Sequence, residues 1–200
     1  MKWIAPALAY LAIGLGMFVF HSAWGALVGF HIAILVSLLI ARPNIPVSIL
    51  LKSTNSKWMI LSILLCGSSG FTLYFLWDRF GFVNSLPIQV KSLGLNSATW
   101  LPFIAYFTLV NPFVEEYFWR GYFGNPTKNL YLYDFIYSGY HGLILIGMVG
   151  VRSIVFALSM LVLAGWFWRE IAREDQGLLA PVLGHMAADF TILIAVYLHM

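Results

Sequence analysis

Residues 3–41, WIAPALAYLAIGLGMFVFHSAWGALVGFHIAILVSLLIA, contain no Asp, Glu, Lys or Arg. A helix rises ~1.5 Å per residue, so crossing a hydrocarbon core takes about 20 apolar residues. This charge-free stretch is about twice that length and reads as two consecutive spans, 3–20 and 24–41. Met1-Lys2 ahead of it imitates the start of a signal peptide, but a cleavable apolar region runs only about 7–15 residues. An uncleaved first span is the expectation.

The rest of the chain follows the same rule. Of 200 residues, 61% are hydrophobic and 10% are charged, against roughly 25% charged in soluble domains. Further spans are expected at about 58–77, 100–120, 132–150, 153–168 and 178–198. Trp58 and Trp77 bracket the third span, about 28 Å apart at helical rise, matching a bilayer core with interfacial tryptophans. Its centre, Gly67-Ser68-Ser69-Gly70, suits close helix packing. The fold class is therefore all-α, a polytopic transmembrane bundle of about seven helices (six to eight). It forms one integral membrane domain over 1–200, with anchoring helices in 1–99 and the chemistry-bearing helices in 100–200. Residues 78–99 read as an interfacial loop with one amphipathic turn. The run 169–175 reads as a solvated helix end stopped by Gly177.

Charge then sets orientation and excludes partners. The net charge is +3, but the cations are scattered at helix ends and form no long basic run, which excludes nucleic-acid binding. Lys2, Arg42, Lys52, Lys57, Arg120, Lys128, Arg169 and Arg173 thread to one side, and Arg79, Lys91 and Arg152 to the other. The positive-inside rule puts the N terminus in the cytoplasm. Cys66, the single cysteine, cannot form an internal disulfide. No prenylation or myristoylation motif is present, and the partners expected are the bilayer and a membrane-associated substrate.

Three polar clusters break this apolar background: Glu115-Glu116-x-x-x-Arg120, His141, and His185-x-x-x-Asp189. Ionisable groups at membrane depth are costly unless paired or wet, and they point to function. Glu116 and Arg120 are four apart, which suits an ion pair. Glu115 is turned about 100° away and is left to face a cavity; the alternative is that all three merely end the helix at the interface. Just upstream, Pro112 either kinks a continuous helix or follows an N-capping Asn111 at the start of a new one. His141, one turn after Tyr137, is either a packing residue or a catalyst. His185 and Asp189 share a face, where a carboxylate can fix the imidazole tautomer. Glu115, His141 and His185 all fall about 7–10 Å from one membrane face. His21 and His31 lie about 280° apart on a helix and do not make a shared ligand pair, so haem is not expected. No zinc-protease HExxH motif, phosphate loop or nucleophile elbow is present.

Together these residues resemble the three motifs of the CAAX protease and bacteriocin-processing family, whose members include prenyl-protein proteases and lysostaphin-resistance-like proteins. The resemblance covers roughly 111–189: Glu115-Glu116-Tyr117-Phe118-Trp119-Arg120, Tyr137-x-x-x-His141, and His185-Met186-Ala187-Ala188-Asp189. Tyr137 stands where phenylalanine is usual. Asp189 stands where the prenyl-protein proteases carry asparagine, and an ionised aspartate only accepts hydrogen bonds. It would orient His185 rather than donate to an oxyanion.

The resemblance implies a glutamate-type intramembrane endopeptidase of a prokaryotic cell membrane. Glu115 and His141 would activate a water, and His185, assisted by Asp189, would stabilise the oxyanion. Glu116, Arg120 and Tyr137 would support the site, and no cofactor is expected. The substrate would be a CAAX-like tail, a leader peptide or a sorting tag. The alternatives are a zinc-dependent protease, with the carboxylates, His141 and His185 as ligands, and a non-catalytic immunity or scaffolding protein. A transporter ranks lower, because no inverted repeat is visible.

Overall fold

The computed structural model describes residues 3–200, so Lys2, counted above among the inner cations, lies outside the described residues. Those residues form helices and one isolated bridge between Phe82 and Val149. In chain order the helices are α1 (Ile4–Gly14), α2 (Ala23–Ala41), α3 (Ser56–Phe75), α4 (Leu86–Ser92), α5 (Trp100–Leu109), α6 (Asn111–Glu116), α7 (Leu132–Leu145), α8 (Val151–Asp175) and α9 (Leu179–Leu198). Wider π turns extend α1 through Leu15–Val19 and α6 through Tyr117–Tyr122. Four helices, α2, α3, α8 and α9, are long and apolar enough to cross a membrane.

The surface shows what solvent the fold is built for. Leu39, Leu64 and Phe75 are 73%, 68% and 77% exposed, while Glu115, Glu116 and Asp175 are buried. Large apolar side chains outside and carboxylates inside is the arrangement lipid selects, since lipid solvates no ion.

Loops gather at two ends. At one, Asp175 Oδ1 accepts from the backbone N–H of Thr54 and of Asn55, each at 2.8 Å. There Leu178 N–H also donates to Ile49 O, and Arg169 reaches the carbonyls of Asn125, Thr127 and Asn129. At the other, Val83 N–H donates to Met148 O, Gly150 N–H to Gly81 O, and Ala23 N–H to Leu93 O. His199 stacks on Trp77 there, with ring centroids 4.3 Å apart.

Several boundaries differ from the sequence expectation. The span expected at 132–150 stops at Leu145, because Ile146 turns extended and Gly147 takes φ 79°. Residues 146–150 then pair with the loop around Phe82. The span expected at 153–168 runs to Asp175 and closes on Gln176, at φ 52°, rather than on Gly177. The run 169–175 is a solvated end only in part, with Glu174 exposed. Arg169 and Asp175 are buried, because each is the polar anchor of a neighbouring loop. The amphipathic turn expected within 78–99 is α4, which buries Leu86 and Val90.

α3 and α9 pack through small residues. A Cβ added to Gly70 would lie 2.1 Å from the Thr191 carbonyl carbon, so the two backbones touch where only glycine fits. Gly70→Ala is expected to force the helices apart and destabilise the bundle by about 1–3 kcal/mol, the usual penalty of overpacking. Thermal unfolding in detergent micelles would measure it; an unchanged midpoint would show that this contact is not tight.

Candidate active site

α5 and α6 form one interrupted rod. The break falls at Val110 (φ −115°, ψ −46°), so Asn111 begins the new helix and is not its cap. Its side chain instead turns inward: Oδ1 faces His31 Nε2 at 3.0 Å, and Nδ2 donates to Asp189 Oδ2 at 3.3 Å. The break puts Glu115 and Glu116 at the end of a short helix that leads straight into the π turn. Such turns often occur at functional sites, because they rotate side chains out of regular register.

The two glutamates diverge as neighbours on a helix must. Glu115 Oε2 accepts from the Tyr140 hydroxyl at 2.5 Å. The Tyr140 ring stacks on His141 with centroids 4.0 Å apart. His141 Nδ1 lies 3.2 Å from Tyr137 O. A carbonyl only accepts, so Nδ1 carries the proton and Nε2 is left with a free lone pair in the neutral ring. One side of the site thus holds a buried carboxylate and an imidazole with an unengaged nitrogen, joined through one phenol.

Glu116 serves the other side. Its Oε1 accepts from Arg120 at 3.2 Å and from His185 Nδ1 at 2.8 Å. His185 stacks on Trp168, with centroids 4.6 Å apart. Asp189, expected from the sequence to orient His185, has Oδ1 3.6 Å from Nε2, at ion-pair distance. Glu116, which the sequence reading assigned to Arg120 alone, makes the shorter contact on the Nδ1 side, so a carboxylate faces each nitrogen of the ring.

Tyr137 is the centre around which these pieces close. Its ring lies 5.3 Å from His141 and 6.4 Å from His185 by centroid, with the Arg120 guanidinium 4.0 Å above it. Gly165 on α8 leaves room for this stack, since a Cβ there would sit 3.1 Å from Tyr137 Cδ1 and 3.3 Å from Arg120 Nη2. Glu116 Oε2 and Arg120 Nη2 have no protein partner although both are buried. Buried polar atoms of that kind are sites for water.

The structure therefore brings Glu115, Glu116, Arg120, Tyr137, His141, His185 and Asp189 into one cluster. Sequence reasoning overlooked three contributors. Tyr140 had a visible signal: Tyr133, Tyr137 and Tyr140 recur at helical spacing along one face of α7. Trp168, one more tryptophan in an apolar helix, had none. His31 was set aside as half of a failed ligand pair, although a lone imidazole in a charge-free span is itself a pointer. Among the described residues no group of three or more His, Cys, Asp or Glu side chains is arranged to hold a metal ion.

No curated protein and no solved structure matches the chain. Residues 97–191 do match a family model, that of the type II CAAX prenyl endopeptidase Rce1-like proteins. That segment carries every member of the cluster except His31, and through it the chain is similar to the Rce1-like CAAX endopeptidases.

Proposed function

We propose that the protein is a glutamate-type intramembrane endopeptidase acting on a membrane-associated peptide. The observation that carries this reading is the hydrogen bond from Tyr140 to Glu115 with His141 stacked on the same phenol. It supports the reading because a buried carboxylate and an imidazole share one phenol inside an apolar bundle, as a general base and its partner would. A water held by Glu115 and His141 Nε2 gives a proton to Glu115, and its oxygen attacks the scissile carbonyl carbon. Proton transfer to a positioned carboxylate contributes about 10²–10⁴-fold to rate.

The oxyanion that forms needs a donor. With both nitrogens protonated, His185 gives one N–H to Glu116 and turns Nε2–H toward the substrate, while nearby Asp189 stabilises the imidazolium. Preorganised donors of this type are often the largest single contribution to acyl transfer. Collapse breaks the C–N bond, and Glu115 returns its proton to the leaving amine. The products are a carboxylic acid and an amine, and the acid's proton then passes to the amine, leaving a carboxylate and an ammonium. Arg120 neutralises Glu116 and keeps it an acceptor, so Glu116 orients His185 rather than competing with Glu115 as base. No step uses a metal or cofactor.

The polypeptide crosses the bilayer seven times in this reading. α1 with its π turn, α5–α6 with theirs, and α7 join the four long helices, and the N terminus is cytoplasmic. The family's description supplies the first substrate to try, a prenylated CAAX-type peptide. A leader peptide or a sorting tag of similar amphiphilic character is next. Reconstituted protein is expected to cleave an internally quenched peptide of this kind, with products identified by mass spectrometry in isotopically labelled water and label entering the new carboxylate. Activity is expected to survive chelation. Loss on chelation with recovery on adding zinc would replace this mechanism with a metal-dependent one, and absence of cleavage across the panel would favour a scaffolding or immunity role.

A further inference from the structure

His31 lies on α2, outside the matched segment, and is buried at 3% exposure. Its ring is nevertheless wired to the site. Nδ1 lies 3.1 Å from the Tyr106 hydroxyl on α5, and Nε2 lies 3.0 Å from Asn111 Oδ1 on α6. Asn111 Nδ2 then reaches Asp189 on α9. Four helices meet in one chain of hydrogen bonds.

We propose that His31 is a positioning residue that locks the Asn111 side-chain amide with its NH2 group toward Asp189. The proposal rests on the endopeptidase reading and deepens it. The carboxylate of Asp189 only accepts, so its partner on Asn111 is Nδ2, which leaves Oδ1 facing His31. Oδ1 only accepts, so His31 Nε2 carries a proton. Nδ1 of the neutral ring is then an acceptor, and the Tyr106 hydroxyl supplies its donor. Every donor finds an acceptor when the chain runs Tyr106 to His31 to Asn111 to Asp189. Turning the amide over would set Oδ1 against the carboxylate and break two bonds at once. Asp189, held by Asn111 through one oxygen, keeps its other oxygen toward His185 Nε2. An anchoring helix thereby fixes a carboxylate beside the oxyanion donor, from a position the shared motifs do not include.

Full-length protein in lipid nanodiscs, with isotope-labelled histidine, allows nitrogen NMR of the rings, the His31 signals being identified by their loss in His31→Gln. A neutral ring with the proton on Nε2 is expected; a proton on Nδ1 alone, or on both nitrogens, overturns the proposal. In parallel, the quenched prenylated peptide reports turnover. His31→Leu is expected to lower kcat by about tenfold or more, as loss of a buried partner does, with KM nearly unchanged. His31→Gln, whose amide supplies one donor and one acceptor, is expected to recover most of it. Equal losses in both variants, or a change in KM alone, would refute positioning. If wild-type protein cleaves nothing while His31 carries its proton on Nε2, the endopeptidase reading fails and the hydrogen-bond chain stands.

Discussion

Glu115→Gln is expected to lower kcat for peptide cleavage about 10²–10⁴-fold, the range associated with loss of a general base. The substitution is a clean one because glutamine keeps a carbonyl oxygen for the Tyr140 hydroxyl, which now donates to Glu115 Oε2 at 2.5 Å. The amide cannot take a proton from water, so the base is lost while the packing around Tyr140 and His141 remains. Turnover of the quenched peptide in proteoliposomes measures the loss, and an unchanged thermal midpoint verifies the fold. A variant retaining more than about a tenth of wild-type kcat would remove Glu115 from the role of base. Glu116 is the informative contrast. Glu116→Gln weakens the anchor of Arg120 and His185 together, so it is expected to reduce both stability and turnover.

The largest structural effect is expected at Arg169, which is not a member of the polar cluster. Its guanidinium contacts both oxygens of Asp134, at 3.1 and 3.0 Å, and donates to three backbone carbonyls of the 125–129 segment. Arg169→Leu leaves the Asp134 carboxylate buried without its cation, a change that costs about 3–5 kcal/mol. Pairing it with Asp134→Leu removes the stranded charge, so the double variant is expected to unfold closer to wild type than the single one. Thermal unfolding of both in micelles decides the matter. A single variant within about 1 kcal/mol of wild type would mean that water already reaches the pair, as at exposed ion pairs.

How much of this could be read in advance follows from where each partner sits. The long helices α2, α3 and α9 follow from runs of apolar residues bounded by polar or interfacial ones. The Glu116–Arg120 pair follows from a spacing of four, and the divergence of Glu115 from Glu116 follows from helical geometry alone. Which face of each helix turns inward does not follow. In a membrane the outside is as apolar as the core, so hydrophobic periodicity, the usual guide to burial, is nearly silent. α2 is apolar on every side, and only tertiary structure shows that His31 faces Asn111, eighty residues away.

The same limit explains the errors at the loop-rich end. Arg169 and Asp175 look like solvated charges in the sequence, because their partners are backbone groups of distant segments, which carry no residue-type signature. The break at Val110 was signalled by Pro112, but that Asn111 turns its amide into the interior rather than capping α6 depended on a histidine and an aspartate from two other helices.

The contact at Gly70 has a bearing on traffic. With the backbones of α3 and α9 touching at Gly70 and Thr191, that flank is closed at this level. A lipid-borne tail drifting in the plane of the bilayer meets a closed door there. In the endopeptidase reading, a tail that enters sideways is expected to use another flank of the bundle, and bulky substitutions along the remaining seams would find it by blocking uptake.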